Sequence, residues 1–425
     1  MKRNLSLAVL VWLILCAASF AQNQSEGEVK PTIEEGIARH ALAFGNNSTF
    51  PFFDELSKTR QVIILGEEGH YDLTTSEVKI NMINYLQTKG FNSVAFEVAP
   101  FLSTYVFSNP EYKDLTRNWK FEHILNFPPW LQQKSCQPLF KMINDRKIKV
   151  LGADTYFHRN DILAAEAIIN KYSAEEERLV RVNWDRLEAL MPEFMNGHIE
   201  ALSIEEQFEM MRIIDDISNY TQYLISQKGE LVDLKAVLQW VRNMNTVFSF
   251  IKYWGDGTTE YAMFVSRNRD SQMAENINWL AENFPQEQFT VWCANFHAAK
   301  DISQTQYPSD SLRYFVFQAM GEGVFNKLGS KMYSLAVTSL NNDMGKMMEE
   351  TGTLELEIAK LLPNTPFAFI DFEPLRFTKD YFNKEFDCNV IMKKKGRWLQ
   401  LFDGVYYIRD QKKDKDGLVL INLGP

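Results

Sequence analysis

Between residues 61 and 97 the chain spells out a strand, a loop, a helix and a second strand, and this order confines it to a parallel sheet. The run QVIIL at 61–65 is short, apolar and rich in β-branched residues, and Gly66 bounds it, so it reads as a buried strand. Thr74-x-x-Glu77 has capping-box spacing and predicts a helix that places Val78, Met82 and Leu86 on one face and stops near Gly90. Residues 93–96 form the next strand. Two strands joined by a helical crossover pair in parallel, and a parallel sheet needs helices over both faces.

The alternation continues beyond this unit. Helical sequence at 131–145 precedes a strand at 148–151 that ends in Gly152-Ala153-Asp154, and a helix at about 269–284 precedes a strand at 289–293. Further strands are expected at 314–318, 333–337, 367–370 and 405–408. Near the start, Pro31 and Thr32-x-x-Glu35 open a helix running to about Phe44. Residues 160–258 differ, being helical in pattern throughout. Ser203-x-x-Glu206 caps a helix carrying Phe208, Met211, Ile214, Ile217 and Leu224, Gly229 ends it, and a second helix runs from about 231 to 254. Its methionine and aromatic stripes read as packing. The expected fold is therefore α/β, with a mainly parallel central sheet, flanking helices and a helical insertion. Residues 29–159 plus 259–425 form the α/β catalytic domain, and residues 160–258 form the insertion.

Residues 1–21 read as a secretory signal peptide. Lys2 and Arg3 precede an apolar run at 5–16, and Ser19-Phe20-Ala21 offers small residues where a signal peptidase reads them. A lipoprotein would use Cys16, but the bulky Leu15 stands before it. The expected location is periplasmic or secreted, with no stable membrane insertion after cleavage. Losing the leader removes two basic residues and no acid, so the net charge moves from −10 to −12. An acidic chain of this kind argues against nucleic acid and anionic membranes as partners. Cys136, Cys293 and Cys388 remain, an odd number without C-x-x-C spacing, and three buried free thiols are expected.

In parallel sheets ligands bind beyond the carboxyl ends of the strands. Glu67 and His70 follow the first strand, Glu97 the second, Asp154 the third, Asn295 and His297 the strand at 289, and Asp371 the one at 367. Acids and histidines at five strand ends form a convergent polar site. His70 lies just before the predicted helix, whose positive end disfavours a proton on a nearby imidazole, so His70 is suited to act as a general base with Glu67 orienting it. His40, His123, His158 and His198 belong to no constellation, and His158 beside Arg159 is the one placed to line a pocket. The chain has no G-x-S-x-G elbow, no Walker loop and no H-E-x-x-H zinc motif.

These residues also carry a resemblance. Gly66-Glu67-x-x-His70, Gly90-Phe91 and Ala95-Phe96-Glu97 resemble the opening of the erythromycin esterase family. Arg269-Asp270-x-x-Met273-Ala274-x-Asn276-x-x-Trp279-Leu280 resembles its central helix, and Trp292 with Asn295-x-His297 resembles its second histidine motif. Gly152-x-Asp154 and Phe402-Asp403-Gly404-Val405 match smaller landmarks. The resemblance implies hydrolysis by direct attack of water, with His70 matching the base and Glu67, Glu97 and His297 the groups around water and substrate. Lys79 stands where the family often has arginine, and Ala294 where it often has histidine, so the chain resembles a general family member more than a dedicated macrolide-resistance enzyme.

The reading is a hydrolase of a small-molecule ester or lactone. His70, Glu67, Glu97 and His297 are catalytic, and Arg269, Asp154, Asn295 and Lys79 bind substrate. His297 or Arg269 would stabilise the oxyanion. No cofactor is assigned. One alternative is a divalent-metal hydrolase using the same His/Glu cluster. The other is a non-catalytic envelope protein that binds a ligand on this scaffold.

Overall fold

A computed structural model of the chain describes residues 30–68, 73–124, 134–156, 158–174, 182–195, 202–251, 259–305, 318–341, 353–388 and 394–411. The signal peptide expected at 1–21, His70, His198 and all but the last residue of the strand expected at 314–318 lie outside them.

The strands are β1 (Leu42–Phe44), β2 (Val62–Leu65), β3 (Phe91–Pro100), β4 (Lys149–Asp154), β5 (Gln288–Trp292), β6 (Met332–Asn341), β7 (Phe367–Asp371), β8 (Phe386–Cys388), β9 (Lys394–Gly396) and β10 (Gly404–Asp410). Eight of them form one sheet in the order β1-β7-β10-β6-β2-β5-β3-β4, and β8 pairs with β9 apart from it. From β10 through β4 every pairing is parallel. The α/β fold with a mainly parallel sheet is thus observed.

Both faces of the sheet are buried, which is why its central strands read as unbroken apolar runs. Along β2, Val62 and Ile64 enter the core on one face while Ile63 and Leu65 enter the core on the other, following the two-residue period of a strand. The helix Leu73–Gln87 covers the second face with Val78, Met82, Ile83 and Leu86. The first face carries the helices Arg159–Tyr172, Trp184–Met195, Ile204–Lys228, Val232–Ile251 and Thr259–Asn283. Their apolar residues, among them Ile162, Ile213, Ile217, Val237 and Ile277, share one core with β2, β5 and β6. Asp233 fastens this layer: its carboxylate accepts hydrogen bonds from the hydroxyls of Tyr105, Tyr112 and Tyr172 and from Lys171 Nζ.

Several local expectations are corrected. The Thr32 capping box is present, but its helix spans Ile33–His40 and stops short of Phe44. Leu42–Phe44 instead pairs antiparallel with β7, so long-range strand pairing overrides the local continuation. Thr74 is not a cap, because the helix starts at Leu73 and Thr74 lies buried within its first turn. The Ser203 capping box holds and Gly229 ends the helix with φ of 89°. On that helix, however, Phe208 and Met211 are exposed, and the buried stripe runs through Met210, Ile213, Ile214, Ile217 and Leu224. Finally, β7 runs antiparallel to β10, so its carboxyl end lies at the amino ends of the parallel strands. Asp371 therefore sits beside Gly404 and Tyr333 and does not join the other strand-end acids.

Candidate active site

The chain leaves β2 for β3, goes on to β4, and returns to lay β5 between β2 and β3 before crossing to β6 on the other side of β2. In open parallel sheets the carboxyl ends beside such a reversal are where ligands bind. The sheet order β2-β5-β3-β4 therefore brings Glu67, then Asn295 and His297, then Glu97, then Asp154 side by side, although they span more than two hundred residues of sequence.

Glu67 follows β2 and is buried. Its Oε2 accepts from Lys79 Nζ at 3.0 Å and from Trp292 Nε1 at 2.9 Å. Lys79 comes from the buried face of the helix Leu73–Gln87 and is itself fully buried. Its ammonium also donates to the Cys293 carbonyl at 3.3 Å and lies 4.4 Å from the Trp292 ring centroid, a cation–π contact. Burial pulls the Lys79 pKa down, and Glu67 is the main group opposing that.

Glu97 lies in β3 where the register against β4 shifts between Phe96 and Pro100. Its Oε2 accepts from the Ala294 amide at 2.8 Å, and its Oε1 accepts from Arg269 Nη2 at 3.1 Å. Asp154 ends β4 and meets the same guanidinium in a bidentate fork, with Nε 3.0 Å from Oδ1 and Nη2 2.5 Å from Oδ2. Burial works against the Arg269 charge, but Asp154 and Glu97 outweigh it and hold the guanidinium firmly protonated.

Arg269, Asp270, Met273 and Asn276 share one face of the helix Thr259–Asn283, at the spacing that makes helix neighbours. Asn276 Nδ2 donates to the carbonyls of Ala153 and Asp154 at 3.0 and 3.3 Å, which ties this helix to the end of β4. His297 sits in the short helix Asn295–Ala298, with Nε2 3.1 Å from Glu97 Oε1 and Nδ1 2.8 Å from Asp270 Oδ1. Burial favours a neutral ring, yet the two carboxylates prevail and lift the His297 pKa to about 10. The arrangement favours the protonated ring.

Asn295 turns its side chain onto β6. Nδ2 donates to the Val337 carbonyl at 2.8 Å, Oδ1 accepts from the Val337 amide at 3.2 Å, and the Asn295 amide donates to Glu67 O at 2.8 Å. The amide passes directly over Gly66, where an added Cβ would lie 2.1 Å from Oδ1. Gly66→Ala is therefore expected to displace Asn295 and to destabilise the protein by ~1–3 kcal/mol, read as a lowered urea midpoint. An unchanged midpoint would show that Asn295 has room to move.

The predicted site residues thus fall into two touching groups. Glu67 joins Lys79 and Asn295, and Glu97 joins Asp154, Arg269 and His297. His70 lies outside the described residues. His158 is used as a helix cap, accepting the Asn160 amide at 3.1 Å on Nδ1, and burial lowers its pKa to about 4. Asp270, the Trp292 indole and the Ala294 amide were not assigned to the site by sequence reasoning. Asp270 had a signal as the neighbour of Arg269 in the central motif, and Trp292 and Ala294 had one through the second histidine motif. Cys136 and Cys293 are buried free thiols, and burial raises the pKa of both. The side chain of Cys388 lies outside the described residues. Among the described residues no group of three or more His, Cys, Asp or Glu is placed to hold a metal ion, and no helix is long and apolar enough to cross a membrane.

Solved structures share this fold. A Bacillus cereus protein superposes with a TM-score of 0.70 at 15% identity, over 90% of this chain and 97% of its own. A succinoglycan biosynthesis protein does so with a TM-score of 0.64 at 14% identity, over 90% and 97%. A histidine-to-asparagine mutant of the erythromycin esterase EreC, in its open conformation, gives a TM-score of 0.59 at 14% identity, over 92% and 99%. No curated protein matches significantly. The sequence profile described as Erythromycin esterase matches residues 86–356, more than half of the chain and the part that carries Glu97, Asp154, Arg269 and His297. The chain belongs to the erythromycin esterase family, a family of ester hydrolases.

Proposed function

We propose that this protein hydrolyses an ester or lactone in the periplasm or outside the cell, by direct attack of water with His70 as the base. The observation that carries the reading is the environment of His297. Its two ring nitrogens face two carboxylates, which favour the protonated ring and make it a poor proton acceptor. Of the two histidines on the active-site motifs, His70 is left for that task. In the sequence His70 stands between Glu67, which Lys79 and Trp292 hold, and the helix Leu73–Gln87. The leader at residues 1–21 supports export.

In this scheme water attacks the carbonyl carbon as His70 takes one of its protons. The negative charge passes to the carbonyl oxygen, where a fixed cation stabilises it. Arg269 suits that role: Nε and Nη2 are engaged by Asp154 and Glu97, and Nη1 makes no hydrogen bond among the described residues. Collapse of the intermediate breaks the bond to the alkoxy oxygen, which takes the proton back from His70. One ester and one water give one acid and one alcohol. Lys79 in place of arginine does not empty the site, since its ammonium is held by Glu67, Trp292 and the Cys293 carbonyl.

The test is hydrolysis of a panel of aryl esters, simple lactones and macrolides, with and without a chelator. The expected result is turnover of at least one member, unchanged by chelator. Loss of turnover to chelator with recovery on adding a divalent cation would transfer the water activation to a metal. No turnover of any member would favour a ligand-binding protein on this scaffold.

A further inference from the structure

Asp270 is fully buried on the helix Thr259–Asn283, next to Arg269, with one oxygen hydrogen-bonded and the other in close ionic contact with His297, short of hydrogen-bond geometry. Oδ2 accepts from the Met320 amide at 3.1 Å, which fixes the carboxylate plane, and Oδ1 lies 2.8 Å from His297 Nδ1. On the other side of the ring, Nε2 lies 3.1 Å from Glu97 Oε1. An imidazole with a carboxylate oxygen at each nitrogen has one state in which both contacts are attractive, the doubly protonated ring. Removing either proton would set a nitrogen lone pair against a carboxylate oxygen in a buried site.

The groups facing His297 come from three elements. Glu97 approaches from β3. Asp270 approaches from the long helix, together with Arg269, which reaches the ring only through the shared Glu97 Oε1 and is held chiefly by Asp154. On its own element the Phe296 ring stands edge-on at 5.4 Å, and the buried Cys293 thiol lies at the end of β5. The two carboxylates thus act on His297 directly, while among the described residues the nearby cations Arg269 and Lys79 are each paired with other carboxylates, Asp154 and Glu67.

We propose that Asp270 is a positioning residue for the hydrolysis: it holds His297 as an imidazolium whose Nε2–H is fixed on Glu97, so that proton acceptance is left to His70. This rests on the hydrolase reading above. It assigns the site a second fixed cation beside Arg269, set in place before substrate arrives and maintained by a residue that need not touch substrate.

The experiment follows the ring protonation of His297 by NMR in the full chain labelled with 15N-histidine. The chain has six histidines, and the His297 signal is assigned by its loss in His297→Gln. In the wild type His297 should remain an imidazolium through pH 8. In Asp270→Asn, whose side-chain oxygen can still accept from Met320, it should titrate near the free-histidine value of about 6.5 or below. At pH 8 kcat for the best ester should fall ~10²-fold with KM little changed. A structural role alone would leave the titration where it was. A wild-type midpoint near 6.5, a midpoint unmoved by Asp270→Asn, or a kcat unmoved by the loss of charge would each overturn the proposal. Should the variant fail to fold, the wild-type midpoint decides. Should the wild type hydrolyse no ester, the hydrolase reading fails, and the titration alone upholds or overturns the hold of Asp270 on His297.

Discussion

Replacing Arg269 by methionine is expected to cost the folded state about 3–5 kcal/mol and to remove hydrolysis. The guanidinium is the shared partner of Glu97 and Asp154, whose side chains are 4% and 0% exposed. Without it two buried carboxylates lose their shared cation, and the penalty for a buried charge left unanswered exceeds what the pair contributed when intact. Asp154 keeps the Thr155 amide and Glu97 keeps the Ala294 amide, so the loss is partial on each. Arg269→Lys should recover only part of the stability, because one ammonium cannot span both carboxylates as the fork does. Urea denaturation of the three proteins decides this. A methionine variant within about 1 kcal/mol of wild type would mean that water reaches both acids and that the site is wetter than the structure implies.

The second large effect is expected at Lys79. Lys79→Met should destabilise the protein by about 3–5 kcal/mol, since Glu67 would then keep a buried charge without its cationic partner, the Trp292 indole still donating to it. The double variant Glu67→Gln/Lys79→Met should be more stable than Lys79→Met alone, because it removes the stranded charge along with its partner. Additive losses in the two single variants and the double would show that the ammonium and the carboxylate are not coupled.

The parallel core of the fold is legible because burial on both faces leaves little for the sequence to spell except apolar runs. QVIIL at 61–65 and the strand leading to Glu97 needed nothing beyond local pattern. Strand direction is different. FAFID at 367–371 reads the same whichever way it runs, and only its neighbour β10 fixes it as antiparallel. That one ambiguity placed Asp371 at the wrong end of the sheet. Phe208 and Met211 misled for a related reason: helical spacing shows a stripe, but which stripe is buried depends on what packs against it.

At the site, the acids and His297 were legible from their positions after strands. Arg269 and Lys79 were legible as members of the site, but which acid each would pair with was not. Lys79 reads as a polar residue on a helix, and its burial follows from Glu67 and Trp292 lying opposite. Asp270 reads as one acid among many until Met320 and His297, distant in sequence, arrive at its two oxygens. Asn295 reads as a strand-end amide, whereas its place over Gly66 on the β6 backbone depends on two strands pairing with β2.

The most direct test of the whole account is the steady-state hydrolysis of the best ester by wild type and by His70→Ala, with folding checked by urea denaturation. In His70→Ala kcat is expected to fall ~10²–10⁴-fold with the unfolding midpoint unchanged, as befits a general base. Equal turnover by a folded His70→Ala protein would contradict it, and water activation would then have to come from another group.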